Sequence, residues 1–174
     1  SRRRESTAPK AFSWLVVFMF LASCSGEPET GPAKVRWDRD TCERCRMVLS
    51  DPHFAAQVRS FPEGKRSKVM KFDDIGCAVI WLQENNLEDD TQAEIWVADH
   101  RTGKWIDART ATYVAKKTTP MEYGLGAQPE AVEGGLGFEQ AKQHVADIEE
   151  RFNVHGLQLK QRLQEQAQQR EKLQ

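Results

Sequence analysis

Cys42, Cys45 and Met47 fall within six positions of the segment TCERCRMVLSD, residues 41–51. Three soft sulfurs at that spacing suit a redox pair, a structural staple or a trap for a soft metal ion. A redox pair of the thioredoxin type opens a helix, whose N-terminus lowers the thiol pKa. Here Val48, Leu49, Ser50 and Asp51 run straight into Pro52, too short a stretch for that helix. A closed zinc site draws on four ligands, commonly two Cys-x-x-Cys pairs, and the chain has one such pair. Thiolate and thioether together form a donor set for Cu(I), one that zinc and harder ions rarely take up. Met47 has a second reading: it begins the apolar run Met47-Val48-Leu49 and can fill core space.

Met121, in Thr119-Pro120-Met121, lies in a stretch with few large apolar neighbours, where a mobile ligand is a more natural role than a core residue. Cys77 sits among Ile75, Ala78 and Val79, and a buried free thiol packs as a small hydrophobe. Of the four histidines, His53 is nearest to the cysteines, His100 reads as a turn residue, His144 as a helix-surface residue, and His155 follows the second helix. The chain has no glycine-rich phosphate loop, no G-x-S-x-G elbow and no His-Glu-x-x-His pattern. Asp73 and Asp74 stand at a helix start, where a carboxylate is a cap far more often than half of an acid-base dyad. Binding is the expectation, not turnover.

The elements that must position these residues follow from periodicity. FAAQVRSF (54–61) and KVMKF (68–72) flank the turn-rich PEGKRS and predict a hairpin. In residues 73–86 Ile75, Val79 and Leu82 recur at helical spacing, with Asp73 or Asp74 as N-cap. EIWVAD (94–99), KWIDA (104–108) and ATYVAKK (111–117) predict short strands. Residues 118–137 hold seven Gly and Pro and predict a long flexible loop, residues 138–152 a helix, and HGLQLK (155–160) a last strand. The order strand, strand, helix, strand then occurs twice. The fold class expected is α+β, two related strand-strand-helix-strand units with small antiparallel sheets, spanning about 37–99 and 104–156 of one domain, 37–156. Residues 157–174 read as a polar tail with leucine at scattered positions.

Residues 1–23 read as targeting. Arg2, Arg3, Arg4 and Lys10 precede the apolar run AFSWLVVFMFLA (11–22), which is shorter than the roughly 20 residues a membrane-spanning helix needs. The run ends in Leu21-Ala22-Ser23-Cys24, similar to a bacterial lipobox, so Cys24 is expected to carry lipid and begin the mature chain. Residues 24–36, rich in Pro, Gly and Glu, read as a flexible tether. Residues 1–23 hold four of the 25 basic and one of the 26 acidic residues, which leaves the remainder at a net charge of −4. Nucleic acid is therefore an unsuitable partner, since its binding needs a clustered positive face. With Cys24 acylated, Cys42, Cys45 and Cys77 remain, an odd number in a compartment where disulfides form.

The lipobox, Cys42-x-x-Cys45-x-Met47 with Asp51 behind it, KFDDIGCAVIWL (71–82), WVADHRTGKWIDARTATYV (96–114) and TPMEYG (119–124) occur in an order that resembles the NosL family, the nitrous-oxide reductase accessory lipoproteins. The resemblance runs from about residue 38 to about 155. It implies a non-enzymatic, lipid-anchored periplasmic copper chaperone. Such a protein binds Cu(I) and helps assemble the copper-sulfur centre of nitrous-oxide reductase, together with a membrane transporter complex. Carried over by position, the family's metal motif falls on Cys42, Cys45 and Met47, and its threonine-proline-methionine element on Met121. The family usually has glycine where this chain has Arg46. The competing reading is an envelope thiol-disulfide oxidoreductase that cycles Cys42 and Cys45.

Overall fold

The computed structural model describes residues 28–172. The targeting segment 1–23 and the lipidation residue Cys24 lie outside the described residues. Eight elements follow in order: β1 Ala56–Ser60, β2 Lys68–Phe72, α1 Ile75–Glu84, β3 Glu94–Ala98, β4 Trp105–Asp107, β5 Thr112–Val114, β6 Gly126–Gln128 and α2 Phe138–Lys172. The first four strands form one antiparallel sheet in the order β2-β1-β3-β4, and β5 and β6 pair antiparallel as a second. The expected α+β class holds.

The expected repeat does not. The second half runs β4, β5, β6, α2, and β4 hydrogen-bonds into the first sheet beside β3. One apolar cluster draws on residues from Val35 to Ile148, so both halves share a core. Alternation along β1 and β3 places Ala56, Val58, Ile95 and Val97 in this core. There they meet α1, whose Ile75, Cys77, Ala78, Val79 and Leu82 are all buried. Asp74 caps α1 from an extended backbone, its Oδ1 accepting from the Gly76 N–H at 2.8 Å.

Three segments differ from their expected form. The predicted loop 118–137 contains β6, whose Gly126 lacks the Cβ that would meet the His100 ring at 2.9 Å. HGLQLK (155–160) is not a strand, because α2 continues through it to Lys172 and takes in residues 157–172 of the polar tail. Within the predicted tether 24–36, the stretch from Glu29 onward is docked on the outer face of the sheet. The Gln57 side chain accepts from the Ala33 N–H at 2.8 Å and donates to the Ala33 carbonyl at 3.0 Å. Arg59 donates to the Gly31 carbonyl at 2.8 Å. Ala33 and Val35 are buried there, so small and apolar residues inside a Pro- and Gly-rich stretch find partners that composition does not reveal.

Candidate metal centre

The segment from Asp38 to Leu49 folds as a narrow loop. The Asp38 N–H donates to the Leu49 carbonyl, the Leu49 N–H to the Asp40 carbonyl, and the Cys42 N–H to the Met47 carbonyl, all at 2.8–2.9 Å. Asp40 holds the base, accepting from Lys71 Nζ at 2.7 Å and from the Arg36 N–H and Nε at 3.0 and 2.8 Å. Although burial opposes it, these donors lower the Asp40 carboxyl to about 2. The Glu43 N–H donates to the Lys71 carbonyl at 2.8 Å and docks the tip of the loop on β2. Asp73 leaves the end of β2, and Cys77 rises from the first turn of α1, both under that tip.

The result is a cluster. Sγ of Cys42, Cys45 and Cys77 and a carboxylate oxygen of Asp73 all lie within 4.8 Å of one another. Cys42, Cys77 and Asp73 are buried, and Cys45 is half-buried. All three thiols are free. Cys45 Sγ donates to Asp73 Oδ2 at 3.2 Å, while Asp73 Oδ1 is buried without a hydrogen-bond partner. The Cys77 thiol, aided by the backbone N–H groups of Cys45 and Asp73, lowers Cys42 to about 6. Burial pushes Cys45 up to about 12, and the neighbouring Cys42 thiolate holds Cys77 far up as well. A cation arriving at this cluster would displace the protons that remain on its sulfurs.

The donor set fits a soft ion. Cu(I) takes two or three thiolates readily. With the Asp73 oxygen added, the set also has the three-sulfur, one-oxygen count that tetrahedral zinc accepts. A buried carboxylate oxygen with no partner costs on the order of 1–3 kcal/mol, and a bound cation would remove that cost. Thiol-disulfide exchange is poorly served, because Cys42, the activated sulfur, is fully buried and no helix follows Cys45.

Two of the expected ligands are thus brought together, Cys42 and Cys45. Met47 stands at the rim of the loop, 53% exposed. Met121 is half-buried against the core, in a loop far better held than the sequence suggests. Burial pushes Asp74 up to about 6 against the opposing pull of the Thr119 hydroxyl and the Gly76 and Met121 N–H groups, so the Met121 backbone lies against the residue next to Asp73. Tyr123, 1% exposed, pins the same loop. Its ring occupies the space where a Cβ on Gly76 would stand, and its carbonyl meets His144 Nε2 at 3.0 Å. Its hydroxyl donates to Glu149 and accepts from Arg44 Nη1 at 2.9 Å. Arg44 lies between the two cysteines of the motif, so Tyr123 ties the Met121 loop to the cysteine loop.

Sequence reasoning missed Asp73 as a donor and read Cys77 as core. The signal was the odd number of thiols, together with two adjacent acids where one suffices to cap a helix. Among the described residues no histidine joins the cluster. His53 pairs with Asp51, His100 with Gln128, and His155 with the Arg151 carbonyl.

The model of one family, NosL, matches residues 34–128. The chain belongs to the NosL family. The matched span includes Cys42, Cys45, Met47, Asp73, Cys77 and Met121, and it ends before α2. NosL proteins are copper-related accessory proteins of nitrous-oxide reductase and are regarded as non-catalytic. No curated protein matches the chain. Among the described residues no helix is long and apolar enough to cross a membrane.

Arg46 stands where the resemblance to NosL implies glycine, and the backbone at this position favours one. Arg46 has φ +66°, in the left-handed region, and its N–H donates to the Cys42 carbonyl at 3.1 Å to close the turn. A side chain there costs roughly 1–2 kcal/mol. The turn survives because the Thr41–Val48 bridge and the Cys42–Met47 hydrogen bond fix it from outside. Arg46→Gly is therefore expected to stabilise the protein by about 1 kcal/mol, after glycine's larger loss of chain entropy. Urea denaturation of the reduced protein measures this, and an unchanged midpoint would mean the turn is not strained.

Proposed function

We propose that this protein is a Cu(I) carrier of the bacterial cell envelope. It is anchored in the periplasm through lipid on Cys24 and delivers copper for assembly of the copper-sulfur centre of nitrous-oxide reductase, alongside a membrane transporter complex. The observation that carries this reading is the meeting of three free thiols and an unpartnered Asp73 oxygen at the NosL cysteine motif. A carrier must hold its ion tightly and still let it go. Cys42 and Cys77 supply buried donors, whereas Cys45 and Met47 lie nearer solvent, where an acceptor's thiolate or imidazole can enter before an old ligand leaves. Thioethers from Met47 and Met121 add neutral soft donors that favour Cu(I) over zinc.

Anaerobic titration of the reduced protein with Cu(I), against a competing chelator, tests the reading. One tightly held ion per chain supports a carrier, and no tight binding removes it in favour of a redox or staple role for Cys42 and Cys45. Met47→Leu with Met121→Leu should keep the fold, because both changes conserve volume and Met47 is largely exposed. The same pair should weaken Cu(I) binding by roughly tenfold while leaving zinc binding unaltered. Equal Cu(I) affinity in that variant would exclude both methionines as ligands.

A further inference from the structure

The segment that follows Cys24 is bound to the body of the protein for most of its length. The Ser67 hydroxyl donates to the Glu29 carbonyl at 2.9 Å and accepts from Arg59 Nη1 at 2.8 Å. The Gly31 N–H donates to Glu94 Oε2 at 2.6 Å, and the Gly31 carbonyl accepts from Arg59 Nε. Gln57 holds both backbone groups of Ala33, and Lys71 Nζ donates to the Lys34 carbonyl at 2.8 Å. With Arg59 2% exposed and Ala33 and Val35 buried, residues 29–35 form a strut along the outer face of the sheet. Five steps of chain separate Cys24 from its first docked residue, Glu29.

The strut starts at one end of the molecule, and the cysteine cluster stands at the other. Ser60 pairs with Lys68 and Ala56 with Phe72, so the β1–β2 turn and Asp73 lie at opposite ends of the hairpin. Ser67 ties Glu29 to the turn end, where a hollow of about 440 Å³ opens between Glu29, Thr30, Phe61 and Lys65. At about 3.4 Å per residue, the chain from Ser67 to Asp73 covers about 20 Å.

We propose that the strut decides which end of the molecule meets the lipid surface: the β1–β2 turn lies next to the bilayer, and the cysteine loop stands clear of it, open to an acceptor domain outside the membrane. This rests on the reading of Cys24 as the lipid anchor. Five residues reach at most about 18 Å when fully extended, and a coil of that length spans about 12 Å. A molecule standing on its cysteine loop would hold Glu29 about 20 Å or more from the bilayer, beyond that reach. A chain undocked as far as residue 36 would reach about 40 Å and allow either end down. Lys65, Arg66 and Lys68 at the turn are offset by Glu29 and Glu63, so chain length and not charge selects this end. An acceptor's thiolate or imidazole must then be carried on a domain that rises about 20 Å from the bilayer.

Energy transfer from a dye on the protein to headgroup-labelled lipid tests this, with the acylated full chain reconstituted in phosphatidylcholine vesicles. One dye at a time is attached through an azide-bearing amino acid that replaces Lys65, in the turn, or Val48, at the rim of the cysteine loop; both are exposed. With a short-range donor–acceptor pair, transfer from the Lys65 position should be at least about twofold greater than from the Val48 position. An insertion of about ten Gly and Ser residues between Cys24 and Glu29 should bring the two values together, because the longer tether spans the molecule. Equal transfer from both positions, or more from Val48, overturns the proposal and leaves the Cu(I) reading of the cluster standing. A difference that survives the insertion undiminished also overturns it, because a surface contact would then set the orientation. A chain whose Cys24 carries no acyl group by mass spectrometry overturns the lipid anchor and the orientation together.

Discussion

Changing Cys42, Cys45 or Cys77 singly to Ser is expected to lower Cu(I) affinity by more than about 100-fold, a larger loss than removal of outer-shell partners gives. The three sulfurs and Asp73 lie within 4.8 Å of one another, so each thiol stands within reach of a shared ion. Serine keeps the size of the side chain but not its softness, and Cu(I) discriminates strongly against a hydroxyl. Cys77→Ser carries the most information, because its position on α1 reads as plain core packing from sequence. Asp73→Asn separates the metals. A trithiolate site keeps Cu(I) nearly unaltered, whereas zinc loses a carboxylate it favours. Competitive titration with both ions on the same variants measures this. Full Cu(I) affinity in Cys77→Ser would move the site outward to Cys45 and the two methionines.

Gly76→Ala is expected to destabilise the protein by about 3 kcal/mol. An added Cβ would stand 2.2 Å from Cγ and Cδ2 of Tyr123, and those atoms belong to a rigid ring that is 1% exposed. Overpacking of this kind costs roughly 1–3 kcal/mol by itself. Displacing the ring also removes the hydroxyl that links Arg44 to Glu149. Arg44 Nε is buried with no hydrogen-bond partner, so the guanidinium is poorly placed to lose another contact. Burial alone would lower its pKa, but Glu149 at 3.3 Å and Glu84 at 3.5 Å keep the half-buried Arg44 firmly charged, so loss of the Tyr123 hydroxyl costs it one hydrogen bond and not its ion pairs. The gain in helix propensity from Gly to Ala, about 1 kcal/mol, offsets part of the loss. Urea unfolding read by tryptophan fluorescence gives the value. A change below about 1 kcal/mol would mean that the Tyr123 loop moves aside freely and does not hold Met121 in place.

Local chemistry made much of this legible. Short runs bounded by turn signals at 56–60 and 68–72, the β-formers at 94–98 and the 3.6-residue period at 75–84 were sufficient for β1, β2, β3 and α1. Cys42 and Cys45 were readable as donors because their spacing is itself the geometry of a tight turn. Other features had no local trace. β6 is three residues of Gly, Ala and Gln, which acquire strand form only by pairing with β5. Residues 29–36 look like linker until Gln57 and Arg59 of β1 supply their partners.

By itself the sequence determined the fold class, the cysteine motif and the resemblance to NosL, all of which depend on residues close together along the chain. Tertiary structure alone decided that Asp73 and Cys77 stand with Cys42 and Cys45, because 28 or more residues separate the two pairs and only the docking of the cysteine loop on β2 closes that distance. It likewise decided that Tyr123, filling a slot left by Gly76, secures the Met121 loop. Such contacts are made by shape and charge between distant segments, and no spacing in the sequence encodes them.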